Sequence, residues 1–233
     1  MTPDEQKKAV AHAAIEYVRD GMRLGLGTGS TAKHFVDVVG EKVKSGWKLT
    51  CVPTSEATRV QAQGLGITVS TLDQTPQLDL DVDGADEIDG DLNLIKGGGG
   101  ALLREKIVAS SAAKMVVIVD ASKRVERLGR FPLPVEVVPF GVKATAFKIE
   151  SACKSLGINP AIVIRVRDGK PFVTDNGNLI LDCACGRIDK PASLSVALSV
   201  IPGVVEHGLF IGMASVALLG SDAGVSVLTR KSS

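Results

Sequence analysis

Aromatic side chains are scarce in this chain of 233 residues: one Trp, one Tyr and six Phe, or 3%. So few rings leave little from which to build a stacking platform for nucleic-acid bases. Charge of one sign is also lacking. The 27 Lys and Arg stand against 26 Asp and Glu, a net +1, whereas a broad binder of phosphate backbones carries a basic excess. No nucleic-acid partner is therefore expected. Long apolar runs are absent as well, since stretches such as Val116–Val119 and Ala214–Leu219 fall far short of the roughly 20 residues a membrane-spanning helix needs. The polar start, Met1 to Ala9, has no apolar run of signal-peptide length. A cytoplasmic protein with no membrane partner is expected. Cysteine is thin: of Cys51, Cys153, Cys183 and Cys185 only the last two are close. A Cys-x-Cys pair with no second pair and no nearby His favours two ordinary thiols over a metal site. The cysteines are weak evidence for a metal.

Glycine, by contrast, is abundant, at 25 residues, in a chain that is 45% apolar and 23% charged. Those last figures are ordinary for a globular protein. A chain this long buries about 70% of its unfolded surface and needs no covalent staple. Many glycines beside few rings suggest close backbone approach to something small and polar.

The first half alternates strands and helices. Thr2-Pro3-Asp4-Glu5 reads as a capping box with Pro at N1, opening a helix to about Val18. Strands are expected over Met22–Leu26, Leu49–Pro53, Ile67–Ser70 and Leu78–Val82, with helices over Thr31–Lys44, Glu56–Gln63 and Ala101–Ala113. Met115–Asp120 is an unbroken apolar strand of the kind buried on both faces. The pattern predicts an α/β fold: a Rossmann-like parallel sheet flanked by helices. After Gly129 the grammar changes. Phe131-Pro132-Leu133-Pro134 with Pro139 suits a linker or an edge strand. A strand (Val135–Val138), a helix (Thr145–Leu156) and a meander turning at Asp168-Gly169 and Asn176-Gly177 follow, then a helix (Ala192–Val200) and a strand (Val204–Phe210). This is close to the split βαβ, ferredoxin-like plan of a smaller α+β domain. The expected division is residues 1–130 with 206–233 for the larger domain and 131–205 for the smaller, with strands in 214–229 rejoining the first sheet.

Three segments carry chemistry. Gly25-Leu26-Gly27-Thr28-Gly29-Ser30-Thr31 lies at a strand-to-helix junction, where N–H groups and the helix dipole favour an anion. It fits neither the dinucleotide fingerprint nor a Walker A loop. A phosphate monoester and a tight turn that merely needs glycine explain it equally well. Asp83-Gly84-Ala85-Asp86-Glu87-Ile88-Asp89 puts four carboxylates at a strand's C-terminal end, where open α/β sheets bind ligands. Lys96-Gly97-Gly98-Gly99-Gly100 runs straight into the helix bearing Arg104-Glu105-Lys106, which suits a backbone loop wrapping a ligand with Lys96 at its edge. Glu105 alone could equally be a surface acid favoured by the dipole. Lys123 follows a strand and could reach the same cleft or face solvent. His12, His34 and His207 have no partner at triad or ligand spacing and read as structural.

Together these segments resemble the ribose-5-phosphate isomerases of the A type. The resemblance runs through GLGTGSTA (Gly25–Ala32), DGADEID (Asp83–Asp89), KGGGGALLREK (Lys96–Lys106), DASK (Asp120–Lys123) and FPLPVEV (Phe131–Val137), then TDNGNLILD (Thr174–Asp182) and IPGVVEHGLF (Ile201–Phe210). It implies an aldose–ketose isomerase that needs neither a metal nor another cofactor, acts on a sugar phosphate and interconverts ribose 5-phosphate and ribulose 5-phosphate in the non-oxidative pentose phosphate pathway. By the same resemblance Glu105 is the general base, Asp83 assists ring opening, Lys96 meets enediolate charge and Asp86 holds hydroxyls. Thr28, Gly29, Ser30, Thr31, Gly84, Ala85, Gly97, Gly98 and Gly99 match substrate-binding positions, and Lys123 matches a contact at the phosphate end. A homodimer or homotetramer is implied. The sequence departs from the family pattern at Cys183–Ile188 and in the extra glycine, Gly100.

Two rivals are weaker. A sugar-phosphate sensor would share the anion loop but need neither Glu105 nor the Asp83/Asp86 pair, and would be expected to carry a helix-turn-helix, for which no segment is left over. An acyl-CoA transferase-like enzyme would need a CoA-binding segment, and none is evident. The metal-free reading predicts that EDTA-treated protein converts ribose 5-phosphate to ketose at its full rate; a requirement for added metal would overturn it.

Overall fold

The computed structural model describes residues 1–230; the last three residues of the expected 206–233 segment lie outside the described residues. Helix α1 (Pro3–Ala14) starts at the capping box, with Thr2 accepting from the Glu5 N–H and Glu5 from the Thr2 N–H. Next come β1 (Arg23–Leu26), α2 (Ser30–Lys44), β2 (Thr50–Pro53), α3 (Glu56–Gly64) and β3 (Thr68–Val69). β4 (Leu80–Asp83) leads through two short strands, β5 (Glu87–Ile88) and β6 (Leu94–Ile95), to α4 (Leu102–Ser110) and β7 (Met115–Asp120). The later elements are β8 (Leu133–Val137), α5 (Val142–Ser155), β9 (Ala161–Ile164), β10 (Val166–Arg167) and β11 (Lys170–Pro171). β12 (Leu179–Ala184), α6 (Pro191–Ser199), β13 (Val204–His207), β14 (Leu209–Phe210), β15 (Val216–Ser221) and β16 (Gly224–Thr229) complete the described chain.

The main sheet has seven strands in the order β16-β15-β7-β4-β1-β2-β3, parallel throughout except for the edge strand β16. Every residue of β4 and β7 is buried, as strands covered on both faces must be. From β1 the chain steps outward to β2 and β3, then returns to build β4 and β7 on the other side. The connections part between β1 and β4, and such a switch point opens a crevice at the strands' C-terminal ends. Thr28–Thr31 and Asp83–Asp86 both emerge there. The 214–229 segment rejoins this sheet as β15 and β16.

A second, antiparallel sheet runs β13-β8-β12-β9. With α5 and α6 it shares a core around Leu133, Val135, Ile149, Leu181, Leu194 and Leu198. The sequence β8-α5-β9-β12-α6-β13 with this strand order is the ferredoxin-like plan. Strands β14, β6 and β5 form a three-stranded patch that joins the two sheets.

Three local expectations differ from the structure. The proline-rich Phe131–Pro134 stretch is neither linker nor edge: β8 is an interior strand. Pro134 has no N–H to give, and Gly208 opposite it still donates to the Pro134 carbonyl at 2.7 Å while its own carbonyl turns to the Lys96 N–H at 2.9 Å. The same turn splits the expected Val204–Phe210 strand at Gly208 into β13 and β14, which belong to different sheets. At Asp168-Gly169, both with positive φ (53° and 75°), the chain makes the tight hairpin β10-β11 outside the sheet, so β9 pairs with β12 instead.

Gly208 thus ties the second sheet to the strand leading into Lys96. A Cβ there would collide with the Lys96 carbonyl and stand 2.9 Å from Pro134 Cδ, and neither neighbour can swing away. Gly208→Ala should cost about 1–3 kcal/mol as overpacking does, a fall of about 3–10 °C in melting temperature for a chain of this size. An unchanged melting curve would refute the tie.

Candidate active site

The glycines of the first motif make room for carboxylates. In the β1–β4 register Gly25 lies opposite Asp81, and alternate residues of a strand share a face. A Cβ on Gly25 would collide with the Asp81 carboxylate, and one on Gly27 with that of Asp83. Only Gly29, at φ 123°, needs glycine for its backbone angle.

Into this space reaches Lys96, whose side chain is only 2% exposed. Its Nζ lies 2.5 Å from the Gly84 carbonyl, 3.0 Å from Asp83 Oδ2 and 3.2 Å from Glu105 Oε1. Burial alone would strip its proton, but the Asp83 and Glu105 carboxylates outweigh that and raise its pKa, so it stays an ammonium. Asp83 Oδ1 accepts the N–H groups of Gly84 at 2.7 Å and Thr28 at 3.1 Å. Burial raises the Asp83 carboxyl, with Lys96 pulling the other way. Burial likewise pushes Glu105 up to about 8, against the pull of Lys96. Glu105 Oε2 has no hydrogen-bond partner among the described residues. The site therefore holds a carboxylate able to trade a proton near neutral pH, one free oxygen, and a permanent cation beside it.

Except for Asp83, which lies wholly buried behind Lys96, every residue proposed from the sequence lines one cleft of about 440 Å³, open mouth included. Thr28 contributes less than its motif suggests: its N–H goes to Asp83, and its hydroxyl joins those of Thr54 (2.7 Å), Ser55 (2.8 Å) and Thr58 (3.1 Å). The donors left for an anion are in the first turn of α2. It has no capping side chain, and the N–H groups and hydroxyls of Ser30 and Thr31 have no hydrogen-bond partner outside the helix among the described residues. Lys123, half-buried after β7, lines the same cleft.

The acidic run divides its labour. Asp86 accepts the Gly98 N–H at 2.7 Å. Glu87 turns away and accepts the Gly129 and Phe131 N–H groups, each at 2.7 Å, while Asp89 closes the turn through the Asp91 and Asn93 N–H groups at 2.9 Å. Sequence reasoning missed Asp81, two residues before Asp83 on the same face of β4. It is fully buried with no partner for either oxygen among the described residues, and burial, reinforced by Asp83, raises its carboxyl well above the usual range. The signal was there: a carboxylate in mid-strand, in LDLDVD, is out of place unless it faces a site. The histidines lie elsewhere. His34 meets Asp4 at 3.0 Å; His207 is buried, its pKa pushed down to about 4 by burial and then by Lys106.

With this geometry in view, comparison with known proteins is direct. Residues 50–224 match the sequence profile of ribose 5-phosphate isomerase A (phosphoriboisomerase A). The ribose-5-phosphate isomerase A of Bradyrhizobium diazoefficiens is 56% identical over 236 residues, covering 99% of this chain and 98% of that one. That of Rhodopseudomonas palustris is 58% identical over 231 residues, covering 99% and 96%. Among solved structures, the ribose 5-phosphate isomerase of Plasmodium falciparum aligns with a TM-score of 0.92 at 39% identity, over 98% of this chain and all of that one. A D-ribose-5-phosphate isomerase in complex with phospho-erythronic acid aligns equally well, at 0.92 and 39%, over 99% of this chain.

The raised carboxyl of Glu105 sets the sign of a linkage. Between its ordinary 4.5 and about 8 the folded chain holds a proton that the unfolded chain has released, so this group's contribution to stability falls as pH rises through that window. Glu105→Gln cannot ionise. Its melting temperature should gain on the parent's from about pH 5 to pH 8 and level off above that, and a difference that does not vary with pH would contradict the shift.

Proposed function

The chain belongs to the ribose-5-phosphate isomerase A family, and on that footing we propose which of its residues carry the reaction. The enzyme interconverts D-ribose 5-phosphate and D-ribulose 5-phosphate, an aldose–ketose isomerisation of the non-oxidative pentose phosphate pathway. Glu105 is the general base. Its unpartnered carboxylate oxygen takes the proton from C2 of the open-chain aldose as the C1 carbonyl becomes an enediolate oxygen, then returns it to C1 while the proton of the C2 hydroxyl passes to the C1 oxygen and leaves a ketone at C2. Lys96 meets the charge that builds on that oxygen, from a buried position where such an interaction is strong. Asp83, with its raised carboxyl, serves the proton transfers at sugar oxygens that open the ring. Asp86 and the Gly97–Gly99 backbone hold hydroxyl groups. The phosphate lies against Gly29, Ser30 and Thr31, with Lys123 as its cation.

One observation carries this reading: a carboxylate poised to titrate near pH 8 touches a permanent ammonium at 3.2 Å in a cleft whose other end is a bare helix N-terminus. A solved relative is in complex with phospho-erythronic acid, a phosphorylated sugar acid, in keeping with a sugar phosphate as the substrate class. The division into a larger unit (1–130 with 206–233) and a smaller one (131–205) belongs to this proposal, as do a cytoplasmic location and a homodimer or homotetramer. The described residues include no helix long and apolar enough to cross a membrane. Exposed Phe147, Val163, Val166 and Val196 on the smaller unit suit contact between copies.

Glu105→Gln should lower kcat about 10²- to 10⁴-fold, the usual worth of a general base, while ribose 5-phosphate still binds. In the parent enzyme kcat/KM should rise with pH towards a plateau above about 8, where Glu105 is ionised. The residual activity of Glu105→Gln should lack that rise. Near-parental turnover in the variant would remove Glu105 from its role.

A further inference from the structure

The glycine loop after Lys96 has no side chains of its own to hold it, yet two groups from the segment between β9 and β12 grip it. Arg165, just beyond β9, donates from one terminal nitrogen to the carbonyl oxygens of Gly97 (2.7 Å) and Gly98 (3.2 Å). Its other two nitrogens form a fork with Asp182 on β12, Nε at 2.9 Å and Nη2 at 2.5 Å. The side chain is 12% exposed, and Arg165 does not line the cleft. Next to it the Phe172 ring packs on the bare Cα of Gly100, where a Cβ would collide with it, and Arg167 covers the ring at 4.2 Å.

A planar trans peptide points its carbonyl and the following N–H in opposite directions. Drawing the Gly97 and Gly98 carbonyls outward therefore turns the Gly98 and Gly99 N–H groups inward. The first is taken by Asp86 at 2.7 Å; the second has no partner among the described residues and lies on the cleft wall. Without such a grip four successive glycines sample many loop conformations.

We propose that Arg165, held by Asp182, is a positioning residue of the isomerase: by fixing the Gly97 and Gly98 carbonyls on the outer side of the loop it aims the Gly99 amide at a substrate oxygen. The inference rests on the site assigned above. It accounts for Gly100, whose missing Cβ lets Phe172 seat against the loop. It also requires arginine specifically, because one planar fork serves a carboxylate and two carbonyls at once, which the single ammonium of lysine cannot do.

Steady-state kinetics with ribose 5-phosphate on the full chain test it, with melting curves taken in parallel. Arg165→Gln should lower kcat/KM by about 10- to 100-fold, the scale of a misplaced binding group, with KM raised at least fivefold. Arg165→Lys should recover only part of the loss, and it carries the test if the glutamine variant does not fold. Asp182→Asn should act in the same direction, and adding it to Arg165→Gln should cost nothing more, because the two act as one unit. Kinetics within twofold of the parent in a folded Arg165→Gln would overturn the proposal. So would a fall in kcat alone that follows loss of folded protein, since a purely structural role leaves KM unmoved. If Glu105→Gln stops turnover while Arg165→Gln leaves it intact, only this inference falls; if Glu105→Gln keeps turnover, the site assignment falls first.

Discussion

A single ammonium, that of Lys96, holds together the centre of this molecule. It lies out of water between two carboxylates, 3.0 Å from Asp83 and 3.2 Å from Glu105, with a third, Asp81, buried on the strand behind. Removing one partner of such a pair leaves an uncompensated buried charge, at a cost of about 3–5 kcal/mol. Much nearby architecture follows from keeping that ion in place. Gly25 and Gly27 yield space to the aspartates, the Gly84 carbonyl accepts a hydrogen bond from the ammonium, and Gly208 anchors the backbone at Lys96. The same arrangement keeps Glu105 reactive: burial raises its carboxyl, and the ammonium stops it from rising so far that it could never ionise.

The smaller sheet does more than complete the fold. Lys106, next to Glu105 on α4, reaches across to Glu206 at 2.7 Å and the His207 carbonyl at 2.6 Å. The helix that presents the base is thus pinned from one side and the glycine loop from another, both by residues outside the main sheet. Rigid support from a second layer is what holds a catalytic group within the tolerance that catalysis demands.

The sequence made the main sheet readable because its strands are short, apolar and separated by periodic helices; Met115–Asp120 could hardly be anything else. Its candidate site was readable because the chemistry sits in contiguous motifs at strand ends. What escaped depends on contacts distant in sequence. Pro134 argued for an edge until Gly208, 74 residues on, supplied a way around its missing donor. Arg165 and Gly97 are 68 residues apart, and no local pattern marks an arginine as gripping a loop. The role of Gly25 was misjudged for a similar reason: a glycine in a phosphate-like motif gives no sign that its space belongs to a neighbouring strand's carboxylate.

That last contact has an evolutionary consequence. Gly25 shares one volume with Asp81 on the neighbouring strand and Val108 on α4, so a side chain at 25 cannot arrive by itself. A side chain at 25 is admissible only after 81 and 108 have both shrunk or turned away. The order in which a lineage acquires such changes is therefore constrained, and the passable route runs through the smaller residue first.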